Sequence, residues 1–322
     1  MSLFENVENN KTFIKELKNG DKVSTFFKII KISKKIKKNG EPYLSLTLQD
    51  KTGKIEAKIW EEIEKAEKLL DSGKIYEIEG YVKEFRGNLE IVINKFSTPK
   101  PESYNKDDFI EEAKFDIDKV FDEMIEFLKQ RINNNYLSEL VELFSQKYKD
   151  KFKNHYGAMK IHHSYRGGLL EHTFSIIKLA DFISEHYNLD KELLLIGALF
   201  HDIGKIYEFE TIEKEKTTIQ GGLLGHIIIG NSIFIEMTKE VRNFPEDISL
   251  KIQHLIISHH GEKEFGSPEM PKTQEAFALH ILDLLDSKIN IFKELIKSNT
   301  NENDFSDYIN VLGRRILIKD DK

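Results

Sequence analysis

The 322 residues leave room for two domains with separate cores, and 39% apolar with 32% charged content is the balance of an ordered globular chain. Cysteine is absent, which excludes disulfides, a thiolate nucleophile and Cys-ligated zinc or iron–sulfur sites; any metal must be held by nitrogen and oxygen. The net charge of −7 is uneven: residues 1–100 carry 20 Lys and Arg against 16 Asp and Glu, the remainder 28 against 39, so only the first third has a nucleic-acid binder's balance.

From Lys22 to Phe96 the pattern predicts short strands. "KVSTFFKIIKIS" is rich in β-branched and aromatic residues, and "KKIKKNGEP" supplies a basic hairpin turning at Asn39-Gly40. "YLSLTLQD" alternates, with Leu44, Leu46 and Leu48 on one face and Tyr43, Ser45 and Thr47 on the other. "KTGKIEAKIW" follows a turn at Gly53. Then come a helical stretch "EEIEKAEKLLDSG", the strand "KIYEIEGYVKEF", a turn at Arg86-Gly87-Asn88 and the strand "LEIVINKF". Three strands, a helix and two strands are the order of a five-stranded oligonucleotide/oligosaccharide-binding (OB) barrel. Residues 97–110, with two prolines and no periodicity, read as a linker. From Asp116, an N-cap, every segment reads helical, with helices expected over 169–187, 190–203, 223–240, 246–260 and 273–297. The tail "NDFSDYINVLGRRILIKD" reads as a helix turning into a strand. The expected chain is multidomain: an all-β OB-fold barrel over 1–100, linker and connecting helices over 101–155, an all-α bundle over 156–300 and a C-terminal tail over 301–322. No apolar run approaches the ~18–20 residues of a membrane span. "MSLFENVENNKTF" lacks a signal peptide's pattern, so no membrane partner and a cytoplasmic location are expected.

Imidazole and carboxylate recur along the bundle. "GGLLEH" ends at His172 and "GGLLGH" at His226, each histidine about one turn into a helix that is apolar beyond it. "FHDIGK" interrupts an apolar helix with His201 beside Asp202. "LIISHHG" places His259 and His260 at a helix end closed by Gly261. "TQEAFALHILDLLDSK" carries Asp283 and Asp286 at i, i+3, either a solvated stripe or carboxylates that need a cation or donor. His172, His201, Asp202, His226, His259, His260 and Asp283 together exceed one ion's needs. Neutral imidazole and carboxylate suit Mn²⁺, Fe²⁺, Co²⁺, Ni²⁺ or Zn²⁺. With Asp202 bridging, they would serve two divalent ions ~3.5–4 Å apart, the spacing of two-metal hydrolases, where a metal-activated water replaces a serine or cysteine nucleophile.

This ordered set, H…HD…H…HH…D, resembles the HD-domain phosphohydrolase superfamily. The resemblance implies an HD-domain bundle with one ion on His172, His201, Asp202 and Asp283 and the other on Asp202, His226, His259 and His260. It makes Asp202 catalytic and puts Lys205 against the substrate phosphate; the alternative for Lys205 is a cation favoured by a helix C-terminus. A barrel containing "PYLSLTLQDKTGKIEAKIW", followed by "HHSYRGGLLEHT", "HDIGK" and "SHHGEKEFGSPEMPKTQEAFALHILDLLDSK", is similar over nearly the whole chain to the YhaM-type 3′-to-5′ exoribonucleases. That family implies exonucleolytic hydrolysis of single-stranded RNA, and often DNA, with Mn²⁺ favoured. His162, His163 and Arg166 match its basic lead-in, where they meet phosphate or else cap the helix that follows.

A barrel presenting aromatics and lysines suits single strands, because every base has a π-face and every nucleotide a charge. Candidates are Phe26 or Phe27, Tyr43, Trp60 and Phe85, with Lys34, Lys35, Lys37, Lys38 and Arg86 at hairpin tips; only one of Phe26 and Phe27 can face outward. The barrel would hold the strand while the bundle hydrolyses its terminal phosphodiester, and a homo-oligomer is compatible with this. Two other readings stay open: an HD enzyme acting on a cyclic dinucleotide or nucleoside triphosphate with a regulatory barrel, and a non-catalytic nucleic-acid-binding protein. No Gly-Tyr-Pro motif marks a cyclic-dinucleotide enzyme of the HD-GYP kind, and the intact ligand set argues against a non-catalytic pocket.

Overall fold

The alternating apolar residues of the first hundred positions close into a barrel in the computed structural model, which describes residues 12–37, 39–85, 87–110, 113–157, 165–210, 217–298 and 304–318. Its elements are β1 (Lys22–Ile36), β2 (Pro42–Asp50), β3 (Gly53–Ile59), α1 (Ile63–Leu69), β4 (Ile75–Phe85) and β5 (Asn88–Ser97). The strand order is β1-β2-β3-β5-β4, closed by the β1–β4 ladder; only β3 and β5 run parallel. Phe27, Ile29, Leu44, Leu46, Leu48, Ala57, Ile78 and Ile91 fill the interior, and Ala66 of α1 packs against them. Each comes from the inward-facing half of a period-two pattern, which is why the barrel was readable strand by strand.

The chain divides at 112/113 into two compact units rather than at the expected 100/101. Residues 101–110 are no free linker. Phe109 is buried, its carbonyl accepts a hydrogen bond from the Gln49 side chain at 3.1 Å, and the Asp108 carbonyl accepts one from Lys51 N at 2.7 Å.

The second unit holds α2 (Ile117–Lys129), α3 (Asn135–Lys153), α4 (Gly168–Tyr187), α5 (Lys191–Phe200), α6 (Lys205–Glu208), α7 (Ile219–Thr238), α8 (Glu246–Ser258) and α9 (Gln274–Ser298). Asp116, Asn134, Asp190 and Thr218 cap their helices with side-chain oxygens. A single core runs from Phe121 of α2 and Phe144 of α3 through Ile177, Leu195, Phe200 and Phe234 to Leu279. The helices expected to be connectors over 101–155 are therefore part of the bundle, whose core reaches back past residue 156. Helix α5 is buried continuously from Leu193 to Phe200, so the His-Asp pair at its end lands inside the unit.

The tail departs from the expected helix. Residues 304–318 make isolated bridges at Phe305–Leu317 and Ile309–Arg314, and Leu312, Ile316 and Ile318 pack on Ile291 of α9. No helix among the described residues is long and apolar enough to cross a membrane.

Candidate functional site

Five helices contribute to one polar cluster. His172 lies in the second turn of α4, His201 and Asp202 follow the end of α5, and His259 and His260 follow the end of α8. Asp283 projects from within α9, not from a helix end. His226 stands where α7 is broken: Gly225 has φ +70° and ψ 158°, and the helix restarts at the histidine. A residue with a side chain is strained there, so this glycine sets the direction from which His226 enters. Gly204 closes the same corner. A Cβ on it would lie 1.9 Å from the His226 carbonyl oxygen and 2.6 Å from Gly230 N. Gly204→Ala should therefore push α6 from α7, cost about 1–3 kcal/mol in denaturant unfolding and weaken metal binding at His226. Unchanged stability and metal content would show that the contact yields freely.

The ligand atoms sort into two triads, His172, His201 and Asp283, and His226, His259 and His260, each with its ligand atoms within 4.8 Å of one another. Asp202 lies between them. Its Oδ2 is 3.5 Å from His172 Nε2 and 3.4 Å from His201 Nε2; its Oδ1 is 3.5 Å from His226 Nε2 and 3.7 Å from His259 Nε2. His201, Asp202 and His259 are buried. Asp202 Oδ1, His226 Nε2 and His259 Nε2 have no hydrogen-bond partner, and each such buried orphan costs about 1–3 kcal/mol. Convergent, buried imidazole and carboxylate atoms without donors are what a divalent cation pairs, so the orphaned atoms fit a cation at the second triad, and the first triad offers the same nitrogen and oxygen chemistry.

The electrostatics agree. Burial alone would raise the Asp202 carboxyl, but Lys205, His201 and His226 hold it well below the carboxylate range. Asp283 is likewise held down, against burial, by His172. Burial first, then neighbouring imidazoles, push His259 and His260 down, which keeps them neutral and able to donate a lone pair. His172 goes the other way: against its burial, Asp283 and Asp286 raise it to about 9.

Lys205 opens α6, a single turn in which it is the basic residue. Its ammonium is bound by Asp202 Oδ2 at 2.5 Å and the Gly157 carbonyl at 2.8 Å. Arg166 precedes α4 with its Nε bonded to Asn154 Oδ1 at 2.9 Å. His162, His163, Lys38 and Arg86 lie outside the described residues. Two carboxylates escaped sequence reasoning as parts of the site. Asp286 is buried, with Oδ2 2.8 Å from His172 Nδ1, and Glu208 Oε2 is 3.0 Å from His226 Nδ1. The i, i+3 spacing from Asp283 was a signal for Asp286. Glu208 had none.

On the barrel, Tyr43 and Trp60 stack at 4.7 Å with rings 26° apart. Lys37 lies 5.0 Å over Trp60, and Lys58 lies 5.7 Å from Trp60 and 4.6 Å from Phe85. Tyr43, Trp60 and Phe85 thus form one strip linked by ammonium groups, with Phe85 half exposed and Lys35 exposed opposite Tyr43 on β1. Phe27 belongs to the core. Phe26 faces Tyr104 at 5.9 Å, outside the strip.

Residues 169–288 match the family model of the HD domain, and residues 28–98 that of an OB-fold nucleic acid binding domain. The 3′-5′ exoribonuclease YhaM of Listeria welshimeri is 32% identical, covering 92% of this chain and 94% of that protein; that of Bacillus subtilis is 33% identical over 86% and 88%. The barrel is also similar to the second OB-fold domain of replication protein A from Methanococcus maripaludis, at 26% identity and a TM-score of 0.24, covering 30% of this chain and 99% of that domain. Fold and site together define a hydrolase of the HD class, dependent on divalent metal, that carries an OB-fold barrel at its N-terminal end. Within that class the chain belongs to the YhaM 3′-5′ exoribonuclease family.

Proposed function

We propose that this chain is a metal-dependent 3′-to-5′ exonuclease that hydrolyses terminal phosphodiester bonds of single-stranded RNA, and of DNA where it is offered. The observation that carries the chemistry is Asp202, one carboxylate with an oxygen toward each of two nitrogen-rich triads. His172, His201, Asp202 and Asp283 would hold one cation, and Asp202, His226, His259 and His260 the other. An all-nitrogen-and-oxygen set in a cysteine-free chain suits Mn²⁺ and accepts Fe²⁺, Co²⁺, Ni²⁺ or Zn²⁺. When bound, such ions supply Lewis acidity at the phosphoryl oxygens and a water nucleophile at neutral pH.

The protein's own groups do the rest. Asp202 keeps the two triads at a common centre, and the burial of His201 and His259 excludes bulk water, which strengthens every charge interaction there. Lys205 offsets the Asp202 charge and adds positive potential for a phosphodiester. The Tyr43–Trp60–Phe85 strip offers π-faces to successive bases, and Lys35 and Lys37 offer charge to the backbone, a sequence-tolerant grip on single strands.

The test is purified protein with Mn²⁺ and a 5′-end-labelled single strand, RNA or DNA, beside cyclic dinucleotides and nucleoside triphosphates. Products shortened stepwise from the 3′ end are expected; turnover confined to the small nucleotides would overturn the reading.

A second experiment addresses the barrel. The bundle has its own core, so a chain of residues 113–322 should fold, bind metal and cleave short oligonucleotides. It should lose affinity for long strands, and its binding should fall less steeply with salt, because the barrel's phosphate contacts are gone. Filter binding across a salt series checks both; full activity on long strands would reject the barrel's holding role.

A further inference from the structure

A neutral imidazole presents Nε2 as a lone pair only if Nδ1 carries the proton, so an acceptor at Nδ1 decides whether a histidine can ligate. Four of the five histidines of the cluster have one in a hydrogen bond, and the fifth, His226, has a carboxylate oxygen at ion-pair distance. His201 donates to the Ala198 carbonyl at 2.8 Å, His259 to Ile256 at 2.7 Å and His260 to Phe265 at 2.8 Å. His201 and His259 follow helix C-termini, where the carbonyl three residues back is free of helical bonding. His172 and His226 are differently placed, near helix starts whose preceding carbonyls serve the helix. His172 Nδ1 donates to Asp286 of α9 at 2.8 Å, while His226 Nδ1 lies 3.0 Å from Glu208 Oε2 of α6 as an ion-pair contact without hydrogen-bond geometry.

We infer that Asp286 and Glu208 are positioning residues for the metal centre, one per triad, each orienting its histidine and making that imidazole a stronger metal ligand. The inference rests on the two-cation reading. Orientation alone would need only a carbonyl, as the other three histidines show. A buried carboxylate is costly unless it is paired, so its use here implies a role for the charge itself. Carboxylate behind imidazole pushes electron density toward Nε2, which strengthens its hold on a cation. Both carboxylates are themselves oriented. Asp286 accepts from Ser175 Oγ at 2.6 Å and Asn290 Nδ2 at 3.1 Å, while Glu208 Oε1 accepts from His226 N at 3.2 Å across the Gly225 break. The repeated "GGLL" therefore precedes two histidines that each have a carboxylate of another helix within 3.0 Å of Nδ1.

The test is calorimetric Mn²⁺ binding to the full chain, alongside the thermal midpoint of metal-free protein. Asparagine and glutamine can still accept from Nδ1 but lack the charge. Asp286→Asn should weaken one class of site 10–100-fold, Glu208→Gln the other, each leaving its counterpart and the metal-free midpoint nearly unchanged. In a His226→Gln background, where only the first triad binds, Asp286→Asn should still weaken binding and Glu208→Gln should change nothing. If Asp286→Asn does not fold, Ser175→Ala loosens the same carboxylate and should weaken the first site several-fold. Two sites of unaltered affinity in both variants would overturn the inference, as would weakening of both sites together with a lowered midpoint. A wild-type chain that binds a single ion would instead remove the two-cation reading beneath it.

Discussion

Asp202→Asn should abolish hydrolysis, a loss on the order of 10³-fold or more, while the bundle stays folded and single strands still bind. The wild-type carboxylate turns Oδ2 toward His172 and His201 and Oδ1 toward His226 and His259. An asparagine has one acceptor oxygen, so one triad would face an NH₂ group that repels a cation instead of binding it. The substitution also removes a negative charge where two divalent ions are expected, and the ions' own charges dominate such a site. Lys205 loses the charge of its 2.5 Å partner, though its bond to the Gly157 carbonyl remains. End-labelled strand cleavage, circular dichroism and strand binding check the three parts. Loss of fold in step with activity would make Asp202 a structural carboxylate.

His226→Gln should leave about one metal per chain where two are expected of the wild type, and lower the rate by on the order of 10²-fold or more. On the proposed assignment His172, His201, Asp202 and Asp283 would remain for the first ion. The second would keep only His259, His260 and its share of Asp202. Were His226 an ordinary core residue, its replacement would cost a little stability and leave catalysis nearly intact. Its Nε2, however, is buried without a hydrogen-bond partner, while Glu208 accepts from its backbone N and places its other oxygen 3.0 Å from the ring Nδ1. Millimolar Mn²⁺ should restore part of the rate by refilling a weakened site. Metal analysis of the as-purified and Mn²⁺-reconstituted proteins decides it; a wild type that never exceeds one ion would sink this mechanism.

The sequence by itself determined the barrel's strand order, most helix positions and the order of the candidate ligands. Period-two and helical patterns are local, and chemistry admits few residue types as nitrogen and oxygen donors. It also showed that Phe26 and Phe27 point to opposite faces. Which of them is inside, and that Tyr104 covers the other, came from closure of the barrel. Only the tertiary structure placed α2 and α3 in the bundle core, split the ligand atoms into triads on either side of Asp202, and buried Asp286 behind His172, 114 positions away. Glu208 could not be read at all, because its role depends on a break at Gly225 and on α6 lying against α7 through Gly204. Such pairings are set by which helix faces pack together. Packing between distant segments leaves no periodic trace along the chain, whereas the folding of each segment against its own axis does.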